Sequence, residues 1–262
     1  MKYNRFIAIG DSFTEGMCDE KKYGQYRGWA DRVADVMAEA QPGFQYANLA
    51  IRGKLLKQVI DEQLDAAIAQ VVDKTTLVSF HAGANDVIRP KYNPNVVLPL
   101  YAEAARKLAA SGATVMLFTV LEDSGSEGRL AETWKARFKD FNENIRAVAE
   151  EIGAILCDAN EEPAFKDPRF LAFDRLHLNP MGHDRVAQAV LETIELPFDP
   201  SWRRPLPAAE PTHKFVKAAV TLVWFATFAL PWMWRRARGK SSGDGRTCKY
   251  PHAIHWPLTH LE

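Results

Sequence analysis

One serine near the start of the chain and one acid–histidine pair about 160 residues later could support nucleophilic catalysis. Ser12 lies in the segment Gly-Asp-Ser-Phe-Thr-Glu-Gly, residues 10–16, directly after a short apolar run. Asp174 and His177 stand three residues apart, just before a segment of helical period. A serine hydroxyl is a poor nucleophile at neutral pH, so an imidazole must accept its proton and a carboxylate must orient that imidazole. We therefore predict that Ser12 is the nucleophile, His177 its general base and Asp174 the orienting carboxylate.

Each of these residues also has an ordinary structural explanation. Gly-Asp-Ser occurs by chance in on the order of one chain in ten of this length and is common in turns. His177 could be a surface histidine that flanks a helix, and Asp174 a solvated loop acid. The catalytic interpretation rests on the combination of a hydroxyl after an early strand with an acid and an imidazole before a late helix.

Two further polar segments predict donors for a developing negative charge. Gly53 ends the segment Asn-Leu-Ala-Ile-Arg-Gly (48–53), and Asn85 lies in Gly-Ala-Asn-Asp (83–86). Acyl transfer places negative charge on the carbonyl oxygen, and one fixed donor stabilises that charge by about 2.7–4 kcal/mol. We predict an oxyanion hole formed by the backbone N–H groups of Ser12 and Gly53 and the side-chain amide of Asn85. Alternatively, Gly53 is a turn residue with positive φ and Asn85 only caps a turn.

These four segments, in this order and spacing, resemble the SGNH (GDSL-type) hydrolases. The serine, glycine, asparagine and histidine for which the family is named match Ser12, Gly53, Asn85 and His177. The aspartate that the family carries three residues before its histidine matches Asp174. The resemblance spans roughly residues 5–195. It implies a flavodoxin-like parallel sheet and hydrolysis of small-molecule esters through an acyl-enzyme, with no metal and no cofactor.

The elements that must position these residues alternate along the chain. Short apolar runs predict five strands: Arg5–Ile9, Phe44–Leu49, Thr76–Phe80, Thr114–Thr119 and Ala154–Asp158. Segments with 3.6-residue spacing predict helices at Gly28–Ala40, Leu55–Val71, Val96–Ala110, Leu130–Glu151 and Met181–Ile194. This alternation favours a three-layer α/β/α fold with a five-stranded parallel sheet and a C-terminal helical extension. The catalytic residues are then expected at the carboxyl edge of the sheet.

The chain divides into a predicted catalytic domain and an appendage. We place the catalytic domain at residues 1–196. A linker with five prolines follows at 197–214. A hydrophobic helix and a basic tail make up residues 215–262.

Residues 218–234 form an uncharged run of seventeen residues, at the lower limit for crossing a bilayer. Pro231 interrupts the run, and four cations follow it: Arg235, Arg236, Arg238 and Lys240. Without an N-terminal signal sequence the catalytic domain is expected in the cytoplasm, so a span would put these cations on the far side, against the positive-inside tendency. We therefore expect a helix that packs on the domain or joins two copies, with a solvated tail. Membrane contact is the alternative.

Three further polar residues are weaker candidates for binding substrate. Glu15, Arg89 and Asp123 lie on loops at the predicted catalytic edge and could hold a polar substrate group, although structural ion pairs are the simpler interpretation. His183, His177 and Asp174 could be imagined as metal ligands, but their spacing fits no common zinc pattern, and we predict no metal.

Composition excludes other functional classes. The 33 basic and 33 acidic residues cancel, so the chain offers no overall field that would gather nucleic acid. Its three cysteines fit neither a disulfide framework nor a metal-binding pair.

The predicted function is serine-dependent hydrolysis of carboxylic esters. The alternatives are an acyltransferase that uses the same residues, and a membrane-tethered or scaffolding protein with a vestigial pocket.

Overall fold

A six-stranded sheet lies at the centre of the molecule. The computed structural model describes residues 2–122, 128–209 and 213–258. The strands are β1 (Arg5–Gly10), β2 (Lys21–Lys22), β3 (Gln25–Tyr26), β4 (Gln45–Asn48), β5 (Thr76–His81), β6 (Thr114–Phe118), β7 (Ile155–Cys157) and β8 (Tyr250–His255). β2 and β3 form a small separate hairpin, and the other strands form one sheet in the order β7-β6-β5-β1-β4-β8. All neighbours in this sheet are parallel except β8, which pairs antiparallel with β4.

Helices cover both faces of the sheet. The α-helices of the described residues are α1 (Ser12–Glu15), α2 (Gly28–Ala40), α3 (Leu56–Val59), α4 (Asp65–Ile68), α5 (Ala84–Val87), α6 (Pro94–Ala110), α7 (Arg129–Ile152), α8 (Pro180–Thr193), α9 (Lys214–Trp224) and α10 (Leu230–Ala237). α2 and α8 pack on one face, and α3, α4, α6 and α7 pack on the other. π-helical turns join α3 to α4 and α9 to α10. The second of these junctions makes residues 214–237 one continuous helical segment.

Strand β1 shows why the sheet is buried on both sides. Ile7 and Ile9 pack into the core beneath α6 and α7, whereas Phe6 and Ala8 pack into the core beneath α2 and α8. Successive side chains of a strand point to opposite faces, so a strand covered on both faces is apolar along most of its length.

The predicted three-layer α/β/α fold is confirmed. Each predicted strand and helix is present, with ends that differ by at most three residues. The order of the parallel strands is the flavodoxin-like order, in which the chain changes direction between β1 and β5. The loops that leave the carboxyl ends of β1 and β5 border the crevice that this reversal creates, and they carry Ser12 and Asn85.

The predicted count of five strands is wrong, because the C-terminal region adds a sixth. β8 pairs with β4, and Tyr250 and Trp256 at its ends are buried. The sequence predicts only a basic tail here, whereas the structure places Tyr250 and Trp256 in the core beneath α2 and α8. The predicted linker 197–214 also contacts the domain, since Trp202 is buried and donates through Nε1 to Glu192. The division into separate folding units stays a prediction.

The C-terminal helical segment is largely exposed. Phe215 and Leu222 are 71% and 70% exposed. Among the described residues, Lys214–Arg235 is one helical stretch long and apolar enough to cross a membrane by length and composition, and none of its apolar window is buried. The expectation that this helix packs on the domain is met at Thr221 and Trp224, whose contacts are described below, while many of its other apolar side chains are exposed.

Candidate active site

Ser12 lies at the turn where β1 ends and α1 begins. Gly10 ends β1 with a φ of +149°, and a Cβ atom there would lie 2.2 Å from the carbonyl oxygen of His81 on β5. Only glycine lets the chain leave the sheet at this point. Asp11 is the N-cap of α1, and its carboxylate accepts a hydrogen bond from the Phe13 N–H. Ser12 is thus the first residue of α1, where backbone N–H groups have no partner within the helix.

The three predicted catalytic side chains form a continuous hydrogen-bonded chain. Ser12 Oγ lies 3.0 Å from His177 Nε2, and His177 Nδ1 lies 2.7 Å from Asp174 Oδ2. The serine comes from the carboxyl end of β1, and the other two residues come from the loop before α8. At these distances the imidazole can accept the serine proton while the carboxylate holds its other nitrogen.

The loop before α8 holds Asp174 in its ionised form. Its Oδ1 accepts hydrogen bonds from the backbone N–H groups of Leu176 and His177, both at 3.0 Å. Burial alone would raise the pKa of Asp174, but the hydrogen bond and charge of His177 and the two backbone donors lower it to about 2. Asp174 is therefore a carboxylate at neutral pH and can stabilise positive charge on His177.

Cys18 lies beside this pair, with Sγ 3.6 Å from Asp174 Oδ2. The potential ligand atoms of Cys18, Asp174 and His177 lie within 4.8 Å of one another. However, burial, and then the neighbouring Asp174 carboxylate, raise the pKa of the Cys18 thiol to about 12. A protonated thiol is a poor metal ligand, and the other two groups are already hydrogen-bonded to each other. That the site uses no metal stays a prediction.

Asn85 joins two segments of the predicted oxyanion hole. Its amide nitrogen donates to Asp11 Oδ2 at 3.0 Å and to the Lys54 carbonyl at 3.1 Å. Asp11 precedes the predicted nucleophile and Lys54 follows Gly53, so the amide lies where the three predicted donors meet. A substrate oxygen would share an N–H with one of these acceptors, and the role of Asn85 as a donor stays a prediction.

Gly53 is buried beneath residues from the C-terminal region. Its φ is +73°, and a Cβ atom there would lie 2.3 Å from Ser241 Oγ and 2.8 Å from Ser242 Oγ. Ser241 Oγ donates to the Gly53 carbonyl at 3.0 Å. A Cβ on Gly243 would lie 2.0 Å from the Arg52 carbonyl, so the backbone itself packs against this loop. We call residues 241–243 the serine strap. Within the predicted solvated tail, Gly243 is therefore buried, whereas Ser242 and residues 244–247 are exposed.

Glu15 and Arg89, two of the three residues with weaker claims to bind substrate, lie beside oppositely charged side chains. Glu15 forms a buried ion pair with Arg52, accepting from its backbone N–H at 2.6 Å and from its Nε at 2.9 Å. Arg89 lies near Asp86, where burial raises the pKa to about 6 and the charge of Arg89 opposes that increase. The structure thus supports the ion-pair interpretation for Glu15. Asp123 lies outside the described residues.

Two buried polar residues to which the sequence-based prediction gave no structural role hold the serine turn. Asn48, at the end of β4, donates to the Thr14 carbonyl at 3.0 Å. His183, on α8, has Nε2 3.0 Å from the Met17 carbonyl. His183 therefore does not join His177 as a metal ligand but fixes the residues after α1. A polar residue at the end of an apolar strand was the available signal for Asn48.

We expect His183 to make the free energy of unfolding depend on pH. Burial lowers its pKa from 6.5 to about 4, so it stays neutral in the folded protein. Its contribution is fully present above pH 6.5 and is lost as pH falls toward 4, because the unfolded chain takes up the proton first. The contribution of His183 to the free energy of unfolding should fall by about 2 kcal/mol between pH 7 and pH 5. Urea unfolding at both pH values measures it.

The matched control is His183→Gln, which can still donate a hydrogen bond but does not titrate. The measured quantity is the loss of stability from pH 7 to pH 5 in the wild type minus that in the variant. Asp86 acts in the opposite sense, since its raised pKa adds stability as pH falls, but it contributes equally to both proteins. Equal losses in the two proteins would contradict the assignment.

Comparison with known proteins connects this geometry to characterised relatives. The model of the GDSL-like lipase/acylhydrolase family matches residues 8–185. An acetylxylan esterase of Geobacillus stearothermophilus is 25% identical over 209 residues, which are 72% of this chain and 93% of that protein. The crystal structure of the acetylxylan esterase Axe2 from the same organism superposes with a TM-score of 0.59 at 20% identity, covering 74% of this chain and 96% of that one. The esterase EstA from Pseudoalteromonas sp. superposes with a TM-score of 0.54 at 18% identity, covering 73% and 97%.

Proposed function

We propose that this chain, which belongs to the GDSL-like lipase/acylhydrolase family and is a carboxylic ester hydrolase, uses Ser12 as nucleophile, His177 as general base and Asp174 as the carboxylate that orients it. The observation that carries the assignment is the unbroken chain of hydrogen bonds from the serine hydroxyl through the imidazole to the carboxylate. Three side chains from two distant segments are aligned in the order that proton transfer requires.

The reaction proceeds in two halves. Ser12 Oγ attacks the ester carbonyl carbon while His177 Nε2 takes its proton, which gives a tetrahedral intermediate. The C–O bond to the alcohol then breaks, and the imidazolium returns the proton to the leaving oxygen. Water, deprotonated by His177, attacks the acyl-enzyme and releases the carboxylic acid. Asp174 stays ionised throughout and stabilises the imidazolium.

The oxyanion of each intermediate is held by donors at the carboxyl edge of the sheet. The backbone N–H of Ser12 starts α1 and has no acceptor within that helix. We propose that the N–H groups of Ser12 and Gly53 supply fixed dipoles and that Asn85 adds its amide. Fixed donors of this kind need no reorganisation when charge develops.

The substrate is proposed to carry a short acyl group such as acetyl. One relative, aligned over 93% of its own length, is an acetylxylan esterase, so an acetyl ester of a carbohydrate hydroxyl is the substrate class that we infer. The family and the geometry of the catalytic residues support ester hydrolysis itself, and the acyl length is the finer step of this proposal.

Covalent labelling and a chain-length series test the function. We expect a fluorophosphonate probe to modify the full chain once, with the adduct on the peptide that contains Ser12. We expect kcat/KM for p-nitrophenyl esters to fall by roughly tenfold or more from acetate to octanoate, since a pocket shaped for a short acyl group excludes the longer chain.

Probe labelling tests the nucleophile and the chain-length series tests the acyl group, so either result can contradict its own assignment without affecting the other. A probe adduct on another serine, or none in an active preparation, would overturn the assignment of the nucleophile. Labelling at Ser12 together with faster hydrolysis of octanoate than of acetate would retain the hydrolase and overturn the proposed acyl length. Heat-denatured protein is the control for nonspecific labelling.

A further inference from the structure

The helical segment 214–237 presents an apolar surface to solvent. Its most exposed apolar side chains are Phe215, Val216, Leu222, Val223, Leu230 and Trp234, each more than half exposed. Soluble proteins rarely expose a contiguous apolar patch of this kind unless it has a binding partner.

The same surface continues onto the loop 173–181, which carries Asp174 and His177 and which we call the catalytic loop. Trp224 Nε1 donates to the Asp174 carbonyl at 3.1 Å, and the Arg175 guanidinium lies 4.7 Å above the Trp224 ring. Arg175 also donates to Thr221 Oγ1 at 3.1 Å. The helix is therefore fastened to the loop that carries the catalytic acid. Apolar residues of the loop and of the start of α8 are exposed in turn: Phe173, Leu176 and Met181.

Both ends of the helix are attached to the same domain. Trp202 is buried before it, and Ser241 contacts the Gly53 carbonyl after it. The bilayer core is about 30 Å thick, and the six peptide units that join Arg235 to Ser241 reach only about 20 Å when fully extended. A transmembrane helix would need its C-terminal end on the far side of the bilayer, so the serine strap could not then reach Gly53. The helix can bind a membrane only by lying along its surface.

The charge of residues 214–243 indicates which kind of surface the helix binds. Residues 214–243 contain six cationic residues and no acidic residue. A symmetric contact between two copies would bring these cations together, whereas an anionic headgroup layer neutralises them. Three tryptophans, Trp224, Trp232 and Trp234, lie along the same segment. Tryptophan is enriched at the boundary between headgroups and acyl chains.

We propose that the face formed by helix 214–237 and the loop 173–181 binds the surface of an anionic phospholipid bilayer with the helix in the plane of the membrane. This arrangement places the catalytic loop against the membrane. It is compatible with the cytoplasmic location predicted from the sequence, at the inner surface of the cell membrane. The proposal concerns binding, and it does not depend on the hydrolytic mechanism.

Vesicle flotation of the 262-residue chain tests this proposal. We expect the wild type to float with vesicles of phosphatidylglycerol and phosphatidylcholine in about equal amounts, and less with phosphatidylcholine alone or at high salt. Phe215→Glu combined with Leu222→Glu places two charges on the apolar face and should reduce vesicle binding by roughly tenfold or more. Hydrolysis of p-nitrophenyl acetate should be unchanged, because neither residue contacts the catalytic side chains.

Val72→Glu is the matched control. Val72 is 68% exposed and precedes the amino end of β5, at the opposite edge of the sheet from the catalytic loop. The same charge there should leave vesicle binding as in the wild type. Absence of wild-type flotation, or equal binding by the double variant, would overturn the proposal. Resistance to alkaline carbonate extraction would also overturn it, since that indicates a spanning helix. Dimers that the double variant abolishes, without vesicle binding, would assign the face to a second copy instead.

Discussion

Replacing Ser12 by Ala, replacing His177 by Ala, or making both changes should each lower kcat for p-nitrophenyl acetate by a similar factor of roughly 10⁴ to 10⁶. The imidazole has nothing to deprotonate once the hydroxyl is gone, and the hydroxyl is a weak nucleophile without the imidazole 3.0 Å away. The free-energy losses of the two single variants therefore should not add in the double variant. Steady-state kinetics on the three purified variants measure this, and circular dichroism confirms that each is folded.

Substitutions of two neighbouring residues, Asp174 and Cys18, are expected to have a large and a small effect on kcat. Asp174→Asn should lower kcat by roughly 10⁴, because its amide cannot hold the useful tautomer of His177. Cys18→Ala, only 3.6 Å from the same carboxylate, should change kcat by less than about threefold, since its protonated thiol takes no part in the proton transfer. A double variant of Ser12 and His177 whose loss equals the product of the single losses would contradict a single cooperating unit.

The central part of the fold follows from local patterns. β1 and β5 are short, largely apolar runs followed by segments of helical period, and this alternation leaves few arrangements other than a parallel sheet between helices. The same rule predicts that residues after different strands meet at the carboxyl edge. Ser12 and Asn85 could be placed together for that reason, although 73 residues separate them. The hydrogen bond from Ser12 to His177 is the contact that the pattern could not supply, since it depends on side-chain geometry.

The C-terminal region could not be predicted in this way. β8 contains Pro251, two histidines and only a few apolar residues, so it has no strong strand pattern of its own. Its partner β4 lies about 200 residues earlier in the chain, and sequence periodicity carries no information on such a pairing. The serine strap is equally invisible, because Ser-Ser-Gly-Asp-Gly is the composition of a flexible loop. What fixes it is the close approach to Gly53.

This placement changes how the C-terminal region should be studied. Removing residues 211–262 would delete the edge strand β8 together with the exposed helix, so loss of membrane binding by that truncation would have two explanations. Point variants on the exposed face, such as Leu222→Glu, keep β8 and the serine strap in place. They therefore separate the role of the helix from the integrity of the domain.

Lys249→Met should lower the free energy of unfolding by about 3–5 kcal/mol, because it leaves a buried carboxylate without its cation. Lys249 Nζ donates to Asp31 Oδ1 at 2.7 Å and to the backbone carbonyls of Tyr26 and Arg27. Both charged side chains are almost inaccessible. Burial raises the pKa of Asp31, and the charge of Lys249 opposes that increase. Urea unfolding followed by tryptophan fluorescence measures the change.

A second substitution determines what the loss means. Lys249→Met combined with Asp31→Asn should recover most of the stability, because a neutral amide can remain buried and still accept the hydrogen bond that Tyr46 Oη now donates to Asp31. Arg106→Met breaks an exposed pair with Glu151 and should cost less than about 1 kcal/mol. If Lys249→Met were as mild as Arg106→Met, the C-terminal strand would be only loosely attached. If it is severe and the double variant is not, the ion pair just before β8 holds α2 and the C-terminal region together, and the catalytic domain extends well beyond residue 196.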